Sequence, residues 1–197
     1  MKAVPKILKL DLYGRPIEWV GWQAASALYC KDKIAWEMGD SHYEIYGGKN
    51  KLSGKRSMIE LNTIIAVRDH HVQTLEKLVP PLCNKTLFAR DQNICLYCGK
   101  NFSLRELTRD HVLPTAQDGL NIWTNVVTAC KRCNHKKANK TPEQAYMPLL
   151  SIPYAPNHAE YLILSNRRVL ADQMSFLKKH VKNEKLLTDL KGGDSWK

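Results

Sequence analysis

Two Cys-x-x-Cys pairs constrain this chain more than any other feature. Cys95 and Cys98 lie in "ICLYCGK" and Cys130 and Cys133 in "ACKRCNH", with 31 residues between the pairs. Each pair can grip a zinc ion from a tight knuckle turn, and two pairs fill a tetrahedral shell with no position left for water. The spacing therefore predicts one structural zinc, which cannot itself hydrolyse anything. A redox dithiol would call for a βαβ setting, and none surrounds either pair. The remaining cysteines, Cys30 and Cys83, stand alone. Thiols paired for metal rather than for disulfides fit a reducing, cytoplasmic compartment.

A closed zinc cage gives no work to Asp110, His111, Asn125 and Asn134, which lie between or beside the pairs. On an extended strand adjacent side chains point to opposite faces. Asp110 and His111 can thus do different jobs, one holding a metal and the other aimed at a water. Asn134 directly follows the last cysteine, where zinc would tether a helix against the strand of Asp110. A carboxylate and an amide carbonyl form a hard oxygen pair that suits Mg²⁺, an ion that keeps several waters and takes phosphate oxygens. A neutral histidine near pH 7 is a natural general base. Together these parts describe one-metal phosphodiester hydrolysis. A second Asp-His pair, in "VRDHHV" (Asp69, His70, His71), has no flanking cysteines and reads as ordinary.

Charge points to the same partner. The 197 residues carry 30 Lys+Arg against 19 Asp+Glu, a formal net charge of +11. Such a surplus favours a polyanion. Lys131, Arg132, Lys136, Lys137 and Lys140 cluster within ten residues that hold no acid, and are expected to bind a nucleic-acid backbone. No apolar run reaches about 18 residues, so no membrane span is expected. Lys9, Asp11 and Arg15 interrupt any N-terminal signal region.

Along the chain, residues 1–80 read as a β-rich module. They offer an opening strand over 4–12, a helix in "GWQAASALYCKDK", and strands in "KIAWEMG", "HYEIYG" and "SMIELNTIIAVR". The loop "GGKNKLSGKR" is basic and free of acids, which suggests DNA contact. The prolines of "LVPPLCNK" mark a boundary. A short helix follows around "TLFARDQ", then a hairpin through "LTRDHVLP" and a helix from near Thr128 through "CKRCNHKK". Residues 148–197 read as a linker and one long basic amphipathic helix, apolar at Leu162, Val169, Leu170 and Leu177 and basic at Arg167, Arg168, Lys178, Lys179 and Lys182.

Residues 86–147 resemble an HNH endonuclease domain. The resemblance rests on Cys95-x2-Cys98, Asp110-His111-Val112-Leu113-Pro114, Gly119, Asn125-Val126-Val127, Cys130-x2-Cys133-Asn134 and Lys137. It implies an α+β fold: a ββα-metal nuclease domain with a four-cysteine zinc site, preceded by the β-rich module and followed by the C-terminal helix. It implies His111 as general base, Asp110 and Asn134 as ligands of one catalytic Mg²⁺ or Mn²⁺, and Asn125 as the residue that orients the hairpin loop through backbone hydrogen bonds. Products would carry 5′-phosphate and 3′-hydroxyl ends. His135 sits beside Asn134 and is the alternative ligand. Neighbours on a helix diverge by about 100°, so one of the two can face the ion, and Asn134 has the family's spacing from Asn125. The expected partner is DNA. An HNH nuclease acting on RNA and a non-catalytic zinc module that binds nucleic acid are the alternatives; the joint presence of Asp110 and His111 favours an enzyme.

Overall fold

The computed structural model describes residues 4–68 and 79–183. The Asp69, His70 and His71 segment and the chain beyond Asn183 lie outside the described residues. Two compact units form: one from the N-terminal residues with His158–Lys182, the other from Val79–Asn157. Among the described residues no helix is long and apolar enough to cross a membrane.

In the first unit, β1 (Ile7–Leu10) pairs antiparallel with β2 (Pro16–Val20) and parallel with β4 (Arg56–Val67). β4 in turn pairs antiparallel with β3 (Ile34–Lys49), giving the order β2-β1-β4-β3. Asp11 Oδ1 accepts from the N–H groups of Tyr13 and Arg15 and closes the β1–β2 turn. Helix α1 (Trp22–Cys30) packs Ala25, Trp22, Leu28 and Tyr29 against Ile7, Leu61 and Ile65. "KIAWEMG" and "HYEIYG", expected as two strands, form the single strand β3. The apparent break at Gly39 is a register shift between Met38 and His42. Gly39 has φ +131 and no room for a Cβ against the Thr63 hydroxyl, so only glycine fits there. β1 touches β4 only at Ile64–Ala66, so the outer part of the β3–β4 ribbon is two-stranded and ends in the basic turn of Lys49, Lys51, Lys55 and Arg56.

The long C-terminal helix expected from the sequence is two helices, α4 (His158–Ser165) and α5 (Ala171–Lys178), packed in this same unit. Asn166 Oδ1 accepts from Arg168 N and turns the chain between them, a local bond that competes with helix continuation. The buried Gln173 then donates to Lys6 O and Thr63 O, fixing where α5 restarts. Leu162 and Leu177 enter the core as expected, while Val169 and Leu170 fall in the break and are half-buried.

The second unit is built on the hairpin of β5 (Leu107–His111) and β6 (Val126–Cys130), with α2 (Asn84–Arg90) before it and α3 (Lys131–Lys137) after it. The register runs from Leu107 opposite Cys130 to His111 opposite Val126. The helix expected from near Thr128 starts instead at Lys131, because Val126–Cys130 are ladder residues. All five are buried, since both helices pack on the hairpin. Thr128 faces α2, where its hydroxyl donates to Leu87 O, while Thr108 and Asp110 bond to side chains of α3. A strand covered on both faces loses its polar alternation and cannot be told from a buried helix by period. Arg90 locks this packing from beneath. Its guanidinium donates to Trp123 O, Tyr154 O and Val126 O and pairs with both oxygens of Asp91.

Candidate active site

The four cysteine sulfurs come within 4.8 Å of one another. A tetrahedral zinc with Zn–S near 2.3 Å needs S···S separations of about 3.8 Å, so the donor set fits that ion. In the first knuckle Gly99 N donates to Cys95 O and Cys95 N to Lys100 O, and Gly99 adopts φ +71. In the second, Cys130 caps α3, its sulfur accepting from Cys133 N at 3.4 Å. Burial pushes the Cys98 and Cys133 thiols up; the other three thiols add to it at Cys133, whereas at Cys98 the Cys95 thiol adds to it and the Lys100 N–H and Cys133 oppose it. Burial also opposes ionisation of Cys95, but surrounding backbone N–H groups outweigh it and pull that thiol down. A bound cation would settle this competition by favouring thiolate throughout.

An ion held by the four cysteines would join the start of α3 to the segment before β5, on which Asn134 packs. The Asn134 amide nitrogen donates to Thr108 Oγ1 at 2.9 Å and Arg109 O at 3.3 Å. The Arg109 carbonyl can only accept, so the nitrogen must face it and the Asn134 carbonyl oxygen is turned elsewhere. Asp110 is 5% exposed. Its Oδ1 accepts from Lys137 Nζ at 3.2 Å and its Oδ2 from the Tyr97 hydroxyl at 2.5 Å. Burial first, and then the bond to Asp110, raise Tyr97 far above the usual phenol range, so it stays a donor. His111 ends β5. Its Nε2 is buried without a hydrogen-bond partner, a condition that calls for an explanation in a native fold.

Asp110, His111, Asn134 and Lys137 line one polar cleft of about 200 Å³, together with Arg109 and Asn139. A larger hollow of about 370 Å³ lies beside Cys98 and Cys130, rimmed by Lys100, Lys131 and Arg132. It carries cations but not the Asp-His pair, which lines the smaller cleft. Asn125 stands behind that cleft. Its Oδ1 accepts from Leu113 N, and its Nδ2 donates to Leu113 O and Leu120 O, tying together both ends of the loop that follows His111. Gly119 closes the same loop, where any Cβ would overlap the Leu113 carbonyl.

One expected assignment changes, and one alternative falls outside the cleft. His135 is exposed and does not line the cleft, whereas Asn134 does; one step along α3 turns the neighbour outward. Lys137 was expected on the nucleic-acid face with Lys131, Arg132, Lys136 and Lys140. Those four are exposed, but Lys137 is fully buried, its ammonium held by Asp110 and by His111 O at 2.8 Å. It belongs to the interior of the site. The sequence reading missed Tyr97, Thr108 and Arg109. For Tyr97 the available signal was its place inside a zinc knuckle; Thr108 and Arg109 gave none beyond adjacency to Asp110.

A β-hairpin and helix joined by four clustered cysteines carry an Asp-His pair at the end of one strand and an asparagine on the helix. Residues 95–150 match the HNH endonuclease family model. That match begins at the first zinc cysteine and contains every residue of the cleft, but covers under a third of the 197 residues. No curated protein matches the chain. The family match points to nuclease activity and interaction with nucleic acid.

Proposed function

We propose that the chain is a divalent-metal-dependent endonuclease that hydrolyses phosphodiester bonds in DNA. The observation that carries this reading is the convergence of Asp110, His111 and Asn134 on one cleft; the His111 Nε2 is buried and has no hydrogen-bond partner. That nitrogen is the group to take a proton from a water entering the cleft, and so to make the water a nucleophile toward phosphorus. Asp110 Oδ1 and the Asn134 carbonyl oxygen are the hard donors that would hold one Mg²⁺ or Mn²⁺. Such an ion, when bound, supplies charge stabilisation to the phosphoryl oxygens and the leaving oxygen. Lys137 balances the charge of Asp110 and holds the His111 carbonyl, keeping the end of β5 in place. Incoming metal has to compete with that ammonium for Oδ1, so its affinity depends on how far Lys137 yields.

The exposed Lys131, Arg132, Lys136 and Lys140 supply a cationic face for the phosphate backbone, a contact that positions nucleic acid without reading its sequence. The basic ribbon tip of Lys49, Lys51, Lys55 and Arg56 offers a second contact of the same kind. Supercoiled plasmid, linear duplex, single-stranded DNA and RNA, each with and without Mg²⁺ or Mn²⁺, test the reading. Metal-dependent nicking or linearisation of plasmid is expected. Cleavage confined to RNA overturns the choice of DNA, and no cleavage of any substrate by zinc-loaded protein overturns the enzyme.

A further inference from the structure

Tyr97 lies between the two cysteines of the first zinc knuckle, yet its hydroxyl reaches out of the knuckle to Asp110 Oδ2 at 2.5 Å. The two oxygens of that carboxylate face different surroundings. Oδ1 meets Lys137, a cleft residue; Oδ2 meets Tyr97, which is not part of the cleft wall. The phenol therefore holds one carboxylate oxygen from outside the cleft wall, while the other meets a residue of the cleft. Its own anchorage is stiff. Cys95 and Cys98 flank it, and the backbone of Leu96 is fixed on both sides, donating to Thr128 O and accepting from Leu150 N. The ring also packs against the cluster of Cys95, Ala129, Cys130 and Met147. A carboxylate on its own keeps two rotatable torsions, and holding an ion would cost that freedom. A rigid donor removes the freedom beforehand, as outer hydrogen-bond partners do for ligating carboxylates generally.

We infer that Tyr97 is a positioning residue for the divalent-ion site, through which the structural zinc knuckle fixes the carboxylate of Asp110. This rests on the reading of Asp110 as a ligand of the catalytic ion, and it gives the zinc a task beyond holding the fold. The alternative is that the ring merely fills core volume, in which case the hydroxyl is dispensable.

Direct binding of Mn²⁺ to zinc-loaded protein, followed by electron paramagnetic resonance of the free ion, distinguishes the two without relying on activity. Tyr97→Phe keeps the ring and removes the donor. It should retain its zinc and bind Mn²⁺ about tenfold or more weakly, the scale typical of losing such a partner. Placing 4-aminophenylalanine at position 97 restores an N–H donor and should recover affinity, while the isosteric 4-methylphenylalanine should not. This pair carries the test if Tyr97→Phe fails to fold. Asp110→Ala separates the two levels of the argument. If Asp110→Ala loses Mn²⁺ but the donor-less Tyr97 variants bind it as tightly as the parent, the positioning role is overturned and the ligand reading stands. If Asp110→Ala itself binds Mn²⁺ normally, the ligand reading falls first, and the role of Tyr97 falls with it.

Discussion

Replacing Arg90 with methionine should cost the unit built on the β5–β6 hairpin more than any surface change. The Arg90 side chain is fully buried and the Asp91 side chain is 6% exposed. Arg90 is the donor for the carbonyls of Trp123, Val126 and Tyr154 and for both oxygens of Asp91. Methionine keeps much of the apolar volume but leaves three carbonyls without this donor and the Asp91 carboxylate without its countercharge. Breaking a buried ion pair by removing one partner costs about 3–5 kcal/mol. Arg90 lies in the unit built on Val79–Asn157, and for a domain of about 60–100 residues each kcal/mol moves Tm by about 4–8 °C. A fall of at least about 12 °C is expected. Heating zinc-loaded protein with a chromogenic zinc indicator reads this unit specifically, because the metal is freed when it opens. Asp91→Asn on the Arg90→Met background should recover part of the loss, since the orphaned charge is then gone, although Asp91 also accepts from Thr128 N. A loss under about 1 kcal/mol for Arg90→Met would refute the assignment of Arg90 as the lock beneath β6.

Three further outcomes bear on the site. Cys130→Ser should lose both the zinc and the fold of the matched region, read by metal analysis and circular dichroism, because zinc binding is folding free energy in a site of this kind. Arg132→Glu with Lys136→Glu should weaken binding to unrelated DNA sequences alike and flatten its salt dependence; Lys51→Glu with Lys55→Glu puts the ribbon tip to the same measurement. Asp110→Ala and Asn134→Ala should be partly rescued by excess Mn²⁺ in a cleavage assay, while His135→Ala, outside the cleft, should cut within about twofold of the parent.

Much of the site was legible because metal chemistry writes itself into sequence as residue type and spacing. The cysteine pairs gave the cage, and their position gave meaning to Asp110 and His111, which the Asp69-His70 pair lacks. Gly119 and the role of Asn125 entered through the resemblance alone; in the structure a tight loop leaves no room for a Cβ at Gly119 and uses the Asn125 side chain as both donor and acceptor. What stayed hidden depends on tertiary burial. β6 reads like the start of a helix because both its faces are covered. The C-terminal segment keeps an apolar stripe on either side of a break that the single Asn166 turn imposes. Lys137 looked like one more cation in a basic run, and only packing shows that its ammonium is spent on Asp110 and the His111 carbonyl. The place of Tyr97 between Cys95 and Cys98 was visible, but not its bond to Asp110, a residue 13 positions away.

His111→Ala tests the central claim most directly. Plasmid cleavage in saturating Mg²⁺ should fall by about 10² to 10⁴, the usual cost of a general base, while zinc content, Mn²⁺ binding and DNA affinity stay close to those of the parent. Full metal-dependent cleavage by His111→Ala, with zinc and fold intact, would contradict the account, because among the described residues the cleft holds no second histidine.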